Sequence, residues 1–501
     1  MRAVEGEPAL EQGWPWETLP ASRWLGRAGP AGVVLFWAWV LSHWPLTTAG
    51  ALLAASIVGV ALLLRPGVGL PLLALAVPFG SLRNVNLGAG TVGPQDVLLL
   101  AIAGAWLIRQ LARRSLRLRW PSFAGAGLLL LAAMLASFLP ATSLAGSLKE
   151  LVKWAELWLA AVLVLNLADG VDVALLVGGL LVAGAAEGLV GIRQVVAGSG
   201  PAGFLLMGRF MRASGTFGQP NPFGGYLGLT LPLAAGILLT AWPARGGDSK
   251  ERRRGQAAWF VALAAAALMG AGLLASWSRG AWLGAAVALA AVVVARGGAW
   301  LRGVPAAILL GVLVCLLVRG RVPLPGALEQ RFADMAADLV TSDVRSVEVT
   351  DANFAVLERT AHWLAAWGMF SAHPWTGVGL GNYALAYEKY ALPRWQDPLG
   401  HAHNYYLNIA AEAGLPGLAA YLLWVGAGLW VAWRAVRASR GLYQGLALGV
   451  LGMWVHLSAH NLFDNLYVHG MAIQIGLLLG LAAWIVAGCE VKGRAPDGPQ
   501  P

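Results

Sequence analysis

Charged residues are scarce in this chain: they make up 12% of its 501 residues, whereas 58% are hydrophobic. A water-soluble globular protein carries charge on about a quarter of its residues, so the composition excludes that class. The long apolar runs approach or exceed the length that crosses a bilayer as a helix. We therefore predict an all-α fold, a polytopic transmembrane helical bundle.

Cysteine is almost absent as well, since the chain contains only Cys315 and Cys489. Two cysteines in or beside apolar runs support neither a disulfide framework nor a thiolate metal site. His, Asp and Glu form no cluster at the spacing of metal ligands, so we predict no metal and no other cofactor. The glycine run from Gly377 to Gly381 has no preceding strand and no Walker lysine, which argues against a nucleotide site.

Fourteen apolar segments are candidate membrane spans. Twelve spans with re-entrant pieces are the alternative, because the early segments are the least certain and one is short and contains proline. The segments are about 31–46, 48–64, 67–80, 96–112, 122–139, 150–168, 172–190, 223–242, 257–275, 280–296, 303–319, 415–435, 441–458 and 466–488.

Lysine and arginine gather in the loops that follow even-numbered segments. These residues are Arg109, Arg113, Arg114, Arg117, Arg119, Arg245, Lys250, Arg252, Arg253, Arg254, Arg296, Arg302, Arg434, Arg437 and Arg440. Basic loops face the cytoplasm, so we predict that both termini are cytoplasmic and that loops after odd-numbered segments are extracytoplasmic. This distribution accounts for the net charge of +10 without a nucleic-acid partner.

We expect five parts along the chain, of which the long outer loop is the most distinctive. They are a cytoplasmic lead-in (1–30), an N-terminal transmembrane bundle (31–319), a large extracytoplasmic loop (320–403), C-terminal transmembrane helices (404–489) and a cytoplasmic tail (490–501). Two stretches of the outer loop, 327–340 and 353–370, are amphipathic at helical spacing. The loop is therefore predicted to be an ordered helical cap.

The polar stretch that begins at His401 contains the strongest candidates for chemistry. Asn404, Asn408 and Glu412 recur every fourth residue, so they share one face of a helix. Histidine can take up a proton near neutral pH. We therefore predict His403 as the catalytic base, with His401 and Asn404 beside it in the substrate site. An interfacial histidine that extends towards water is the alternative.

Arginines on the predicted outer face are the second set of candidates. The planar guanidinium group matches a phosphate or diphosphate and tolerates a partly dry site. Arg212 and Arg279 are predicted to be catalytic, and Arg209 and Arg359 to bind substrate. Asn221 stands between two prolines, which display its amide. Anchoring to lipid head groups is the alternative for the arginines, as is an ion pair with a neighbouring acid for Arg359.

Four places in the chain resemble the O-antigen ligase and polymerase superfamily of bacterial membrane glycosyltransferases, and together they cover about residues 205–465. They are Arg212-Ala-Ser-Gly-Thr-Phe-Gly-Gln-Pro-Asn221, the turn Ser278-Arg279-Gly280, the pair Arg359-Thr-Ala-His-Trp363 and His373-Pro-Trp-Thr-Gly-Val-Gly379, and His403-Asn404 followed after nine residues by Gly414-Leu-Pro-Gly417.

The resemblance implies a metal-independent, inverting transfer of a glycan at the outer face of the bacterial inner membrane. The implied donor is an undecaprenyl-diphosphate-linked glycan, and the acceptor is a hydroxyl of a lipid or glycan, with membrane lipids as further partners. Arg212 and Arg279 would hold the diphosphate, and His403 would orient or deprotonate the acceptor hydroxyl.

Three other activities stay open. A polysaccharide polymerase and a protein O-oligosaccharyltransferase share the same motifs, and Ala420 departs from the ligase pattern. A bicarbonate-type transporter is disfavoured because a transporter has polar residues near the middle of the membrane, whereas the polar residues here gather at one face.

Overall fold

The computed structural model describes residues 20–82, 84–86, 91–206, 210–242, 249–298, 344–345, 347–349 and 353–493. Within these ranges the protein is helical, apart from short connections and two small hairpins. The helices are α1 (Pro20–His43), α2 (Leu46–Leu64), α3 (Gly69–Phe79), α4 (Pro94–Ala112), α5 (Ala124–Ala136), α6 (Leu144–Leu167), α7 (Gly170–Ala197), α8 (Pro220–Thr240), α9 (Ser249–Ala275), α10 (Arg279–Arg296), α11 (Phe354–Ala372), α12 (Tyr383–Ala386), α13 (Tyr405–Ala438), α14 (Gly441–His460) and α15 (Met471–Gly493). The all-α prediction is confirmed.

Two hairpins lie in connections that the sequence analysis did not assign to strands. Strand β1 (Val85–Asn86) pairs antiparallel with β2 (Thr91–Val92), and β3 (Leu205–Leu206) pairs antiparallel with β4 (Phe210–Met211). Each strand has two residues, so the hairpins shape loops and contribute no sheet to the core.

Nine of the described helices are long and apolar enough to cross a membrane: α2, α4, α7, α8, α9, α10, α13, α14 and α15. Shorter apolar helices occupy Gly32–His43, Pro66–Phe79 and Ala124–Ala136. The predicted segment at 150–168 falls on α6, which contains Glu150, Lys153 and Glu156 and is not among the nine. The predicted segment at 303–319 lies outside the described residues, as does the amphipathic stretch 327–340.

The chain forms two compact units, Met1–Leu64 and Arg65–Pro501. In the first unit the structure describes α1 and α2. The backbone N–H of Trp44 donates to the carbonyl oxygen of Val40 over 2.9 Å, and that of Ala49 donates to Pro45 over 2.9 Å. These bonds end α1 and begin α2, so the two helices are joined by a tight corner.

Helix α8 lies at the centre of the second unit, where it packs against α14, α9 and α10. Glycine allows α8 and α14 to approach closely, as small residues do between membrane helices. A methyl group on Gly236 would lie 2.1 Å from the carbonyl oxygen of Gly445, and one on Gly449 would lie 2.5 Å from the Cα of Leu233. Close backbone packing therefore holds α8 and α14 together.

A buried aromatic cluster joins α6, α13 and the connection between α14 and α15. The ring centroids of Trp154 and Tyr467 are 4.6 Å apart, and those of Trp154 and Trp424 are 6.2 Å apart. The hydroxyl groups of Tyr421 and Tyr467 are 3.3 Å apart, and the side chain of Asn461 donates to the Tyr421 hydroxyl over 3.2 Å. These contacts fix the polar connection that follows α14.

Candidate active site

A kink divides α13 and joins it to the segment that follows α11. Gly414 has φ 63° and ψ −164°, a backbone conformation outside the helical region. The released backbone groups find partners nearby. The N–H of Leu415 donates to Pro374 over 2.7 Å, and the N–H of Val378 donates to Ala411 over 2.9 Å. The kink therefore serves as a docking point for the outer segment.

Replacing Gly414 with alanine is expected to destabilise the protein by about 2 kcal/mol or more, because the position combines a strained φ with steric contact. The new methyl group would lie 2.7 Å from the backbone carbon of Trp375. Gly426→Ala in the same helix is the matched control, since no atom lies within 4 Å of that position. Thermal unfolding in detergent checks this, and equal melting temperatures for the two variants would contradict it.

The predicted polar face of α13 positions the loops around its first turns. The side-chain oxygen of Asn404 accepts a hydrogen bond from the Leu407 N–H over 3.1 Å and so caps the helix. Asn408 accepts from the Ala402 N–H over 3.0 Å, and Glu412 accepts from the Tyr383 N–H over 3.0 Å. These bonds orient the histidine segment, and the binding of substrate by Asn404 stays a prediction.

His401, His403 and Asp464 form the central cluster of the site. Asp464 Oδ1 lies 3.7 Å from His401 Nε2 and 3.7 Å from His403 Nδ1. The centroids of the two imidazole rings are 4.4 Å apart. All three side chains are mostly buried, with 9% exposure for that of Asp464. Two segments far apart in the sequence thus place a carboxylate between two imidazoles.

His403 adopts a left-handed backbone conformation, with φ 51°. This conformation is rare for a residue other than glycine and marks a position that its surroundings constrain. The backbone N–H of His403 donates to His401 Nδ1 over 3.0 Å, and the Trp363 indole N–H donates to the His403 carbonyl oxygen over 3.3 Å. These two bonds hold the peptide, and with it the imidazole, in place.

One hydrogen bond of the cluster indicates where a neutral His401 carries its proton. Because His401 Nδ1 accepts the backbone N–H, a neutral His401 carries its proton on Nε2, the nitrogen nearest Asp464. If His403 likewise directs an Nδ1–H towards Asp464, its Nε2 is left as a proton acceptor. The carboxylate can thus hold both rings in a fixed tautomer.

The same three residues could also bind a metal, since their ligand atoms lie within 4.8 Å of one another. The sequence analysis found no such cluster because Asp464 is far from the two histidines in the sequence, and the structure corrects this point. A metal on His401 Nε2 would require the proton to move to Nδ1, where it would face the N–H of His403. The donor set therefore suits proton transfer better than metal binding, and metal independence stays a prediction.

Burial and neighbouring charges shift the pKa values of His401 and Asp464. Burial lowers the pKa of His401 to about 4, although the charge of Asp464 opposes the shift. Burial disfavours the charged form of Asp464, but the neighbouring imidazoles of His403 and His401 hold its pKa well below its usual range. At neutral pH, a neutral His401 therefore stands beside an ionised Asp464.

His362 on α11 closes one side of the cluster. Its ring stacks on that of Tyr387 with centroids 4.6 Å apart and lies 5.5 Å from that of His403. His362 Nδ1 lies 3.0 Å from the Tyr383 hydroxyl, which donates to the His362 carbonyl oxygen over 3.2 Å. Burial, followed by the charges of His403 and His401, lowers the pKa of His362 to about 4.

The lowered pKa values of His362 and His401 predict acid sensitivity. Between the ordinary histidine pKa of 6.5 and the folded value of about 4, the unfolded chain binds protons that the folded chain does not. Stability present above pH 6.5 is therefore lost as the pH falls towards 4. His362→Phe should reduce this pH dependence by about one proton while it keeps the aromatic contact with Tyr387.

The pH dependence is measured by thermal unfolding in detergent at a series of pH values. The relevant quantity is the slope, since the substitution also removes the contact with the Tyr383 hydroxyl and lowers stability at every pH. His43→Phe, at an exposed histidine of the first unit, is the control and should leave the slope unchanged. Equal slopes for wild type and His362→Phe would contradict this interpretation.

Arg359 lies one turn before His362 on α11 and close to the cluster. Burial is the main cause of the lowered pKa of His401, and the positive charge of Arg359 makes a smaller contribution in the same direction. In the part of the chain that the structure describes, its Nε is buried without a hydrogen-bond partner. A buried guanidinium nitrogen next to a histidine cluster is a suitable group for an anionic substrate.

Arg212 and Asn221, which the sequence analysis grouped in one motif, contact each other, and Arg212 also contacts the turn that precedes α10. The Nε–H of Arg212 donates to the Ser276 carbonyl oxygen over 3.1 Å, and its Nη2 donates to Asn221 Oδ1 over 3.2 Å. Gln194 on α7 fixes the loop after Arg212, because its Oε1 accepts the N–H groups of Ser214 and Gly215 over 2.9 Å each. The guanidinium group of Arg212 is thus held in a defined orientation.

Arg279 opens α10 directly after this turn, with Ser278 as the N-cap residue. A methyl group on the next residue, Gly280, would lie 3.2 Å from His460 Cδ2 and 3.4 Å from Phe463 Cβ. The turn that carries Arg279 therefore packs against the segment that leads to Asp464. The remaining predicted site residue, Arg209, lies outside the described residues.

The sequence analysis did not include Asp464 and His362 among its site residues. His362 appeared there only as a letter of a motif. Asp464 could have been identified from its position between the last two predicted spans, on the same side of the membrane as His403. For His362 the signal was the helical spacing from Arg359, which puts both on neighbouring turns of one helix.

A family model described as O-antigen ligase matches residues 264–422. The matched range contains Arg279, Arg359, His401 and His403, whereas Arg212, Asn221 and Asp464 lie outside it. No curated protein matches the chain.

Proposed function

We propose that the protein belongs to the O-antigen ligase superfamily of membrane glycosyltransferases, which the match over residues 264–422 supports, and that it transfers a glycan from undecaprenyl diphosphate to an acceptor hydroxyl. One observation supports the proposal above the others. The carboxylate of Asp464 lies 3.7 Å from His403 Nδ1, next to the turn that carries Arg279. A proton acceptor beside a turn that carries an arginine supports a transfer with a diphosphate leaving group.

His403 is the proposed general base. Asp464 holds the ring through Nδ1–H, so that Nε2 can accept the proton of the acceptor hydroxyl. The contact of 3.7 Å is longer than a hydrogen bond, and such catalytic contacts often shorten when substrate binds. The negative charge of Asp464 then stabilises the imidazolium ion that forms.

Arg212, Arg279 and Arg359 are the proposed diphosphate-binding residues. As the acceptor oxygen forms a bond to the anomeric carbon, the bond from that carbon to the phosphate oxygen breaks. The electron pair leaves with the lipid diphosphate, and guanidinium groups stabilise the charge that develops there. A single displacement of this kind inverts the anomeric centre. No nucleotide or metal participates in the proposed step.

Further details of the proposal follow from the charge of the loops and the nature of the donor. The protein is proposed to reside in the bacterial inner membrane with both termini in the cytoplasm and the His403 site on the outer face. Arg209, Asn221, His401 and Asn404 are proposed to contribute to substrate binding. The apolar helices next to the site would accommodate the long polyprenyl chain of the donor.

A polysaccharide polymerase is the second candidate, because it uses the same groups with a different acceptor. In that case the acceptor is another lipid-linked repeat unit, and a protein hydroxyl is a third acceptor class. Transport of a small anion is the least supported activity. The side chains of α11 cover one side of the histidine cluster, and the contacts of Asp464 with the two imidazoles suit proton transfer.

A transfer assay in proteoliposomes tests the function. Purified protein is supplied with an undecaprenyl-diphosphate-linked oligosaccharide and either a lipid, a peptide or a second donor molecule as acceptor. A single product identifies a ligase, and a ladder of lengths identifies a polymerase. Product formation should persist in EDTA. Activity that is lost in EDTA and restored by zinc would contradict the proposed role of the His401–His403–Asp464 cluster.

A further inference from the structure

A polar cavity lies at the C-terminal end of α4, far from the histidine cluster. Its volume is about 260 Å³, and its lining includes Arg65, Trp106, Arg109, Arg113 and Asn166. We call it the α4 cavity. Nothing in the proposed transfer reaction uses these residues, so the cavity requires a separate explanation.

The α4 cavity and the histidine cluster lie towards opposite ends of the transmembrane helices. Gln95, in the first turn of α4, is next to the start of α15, because a methyl group on Gly470 would lie 3.3 Å from Gln95 Cγ. Gly470 belongs to the same connection as Asp464. Arg109 follows Gln95 by a helical rise of about 21 Å, which is most of the thickness of a hydrocarbon core.

Side-chain hydrogen bonds fix the walls of the α4 cavity. Asn166 accepts the backbone N–H of Arg119 over 2.7 Å and donates to its carbonyl oxygen over 3.0 Å. Gln110 donates to the carbonyl oxygen of Arg117 over 3.0 Å. The arginine-rich segment after α4 is therefore held against α6 at the rim of the cavity.

Both carboxylates that line the α4 cavity form ion pairs with Arg65. Arg65 Nη2 donates to Asp169 Oδ2 and to Asp172 Oδ1 over 2.9 Å each. Asp169 also caps α7 by accepting the N–H groups of Val171 and Asp172. The lining thus contains three arginines and two carboxylates, and the carboxylates are held by Arg65 at one side.

Apolar side chains of α4 continue from the cavity into the membrane region. Leu107, Ile108 and Leu111 flank Arg109 and are 45%, 56% and 63% exposed. Trp106 lines the cavity, and tryptophan is enriched at the level of lipid head groups. An anionic group at the arginines would therefore have an apolar surface beside it that suits acyl chains, which favours a lipid over a soluble anion.

We propose that the α4 cavity binds the phosphate group of an anionic lipid head group. Arg109 and Arg113 contact the phosphate, since arginine matches its geometry, and the acyl chains lie along the exposed face of α4. Basic pockets between transmembrane helices are suited to this type of ligand. The bound lipid would connect α4, α6 and the start of α7 at the end opposite to the histidine cluster.

The test measures lipid binding by native mass spectrometry. The full-length protein is equilibrated with equal amounts of phosphatidylglycerol and phosphatidylcholine, and wild type should retain at least five times more of the anionic lipid. Arg109→Gln/Arg113→Gln should lose this preference. Arg117→Gln/Arg119→Gln removes the same charge from the same segment outside the cavity lining, and it should keep the preference. Thermal unfolding establishes that each variant is folded.

Other results would overturn the proposal. Equal loss in the two double variants would show that the preference reflects general charge, and no loss in either would show that the cavity does not bind the lipid. The single variant Arg113→Gln, at an exposed residue, should reduce the preference at least twofold if the double variant does not fold. In a parallel experiment, the protein with bound lipid is exposed either to inorganic phosphate or to chloride at equal ionic strength, and the lipid that remains bound is compared. Displacement of the lipid by phosphate at millimolar concentration would identify a soluble anion as the ligand.

Discussion

Replacing His403 with alanine is expected to lower the rate of glycan transfer about 1000-fold, which lies within the range that general acid–base catalysis contributes. The substitution removes the nitrogen that accepts the proton of the acceptor hydroxyl and leaves the arginine-bearing turn before α10 in place. Donor binding should therefore change little, and the loss should appear in kcat. The measurement is initial transfer rate against donor and acceptor concentration in proteoliposomes.

Asp464→Asn distinguishes catalysis by His403 from a merely structural role. The amide keeps the size of the carboxylate, which lies 3.7 Å from both imidazoles, but it cannot stabilise an imidazolium ion. We expect at least a tenfold loss of kcat and a changed pH profile of kcat/KM. His43→Ala, in the first unit, is the control and should retain full activity. Activity of His403→Ala within twofold of wild type would exclude the proposed base.

Arg279→Ala is expected to lower kcat/KM about 100- to 1000-fold, because removing one group that stabilises developing charge costs about that much. Arg279→Lys keeps the positive charge but loses the planar pair of donors, so its rate should recover only in part. Arg212→Lys should behave similarly, and its bonds to the Ser276 carbonyl oxygen and to Asn221 would be weakened as well.

The matched control for Arg279 is Arg296→Lys, at the other end of α10. It changes the same residue type in the same helix, away from the turn that packs beside His460 and Phe463. Donor affinity is measured separately by displacement of a labelled lipid diphosphate. If Arg279→Lys and Arg296→Lys have equal kcat/KM, Arg279 has no part in binding the leaving group.

The residues near one another in the sequence were predictable, and the contacts between distant segments were not. His403, Arg279 and Arg359 belong to short motifs, and the apolar segments are long enough to be recognised by composition. Asp464 lies near His403 in a connection after α14 that hydrogen bonds among Tyr421, Tyr467 and Asn461 help to fix. Local pattern contains no information about that packing.

The polar face of α13 illustrates the same limit. Its periodicity predicted that Asn404, Asn408 and Glu412 share one side of a helix. Asn408 and Glu412 lie within α13, whereas Asn404 is the extended residue that caps it. The partners of Asn408 and Glu412 are backbone groups outside this helix, which spacing along one helix cannot identify. The glycines at 377–381 also act in packing. A methyl group on Gly377 would lie 2.3 Å from the Glu412 backbone, and one on Gly379 would lie 2.5 Å from Ala141 Cα.

The most direct test of the proposed function is the stereochemistry and stoichiometry of one turnover. A donor of known anomeric configuration is incubated with the reconstituted protein and acceptor, and the new glycosidic bond is assigned by NMR. We predict an inverted anomeric centre and one undecaprenyl diphosphate released for each glycan transferred. A retained configuration would contradict direct attack assisted by His403, since it requires two displacements. Release of undecaprenyl monophosphate would contradict the proposed diphosphate leaving group.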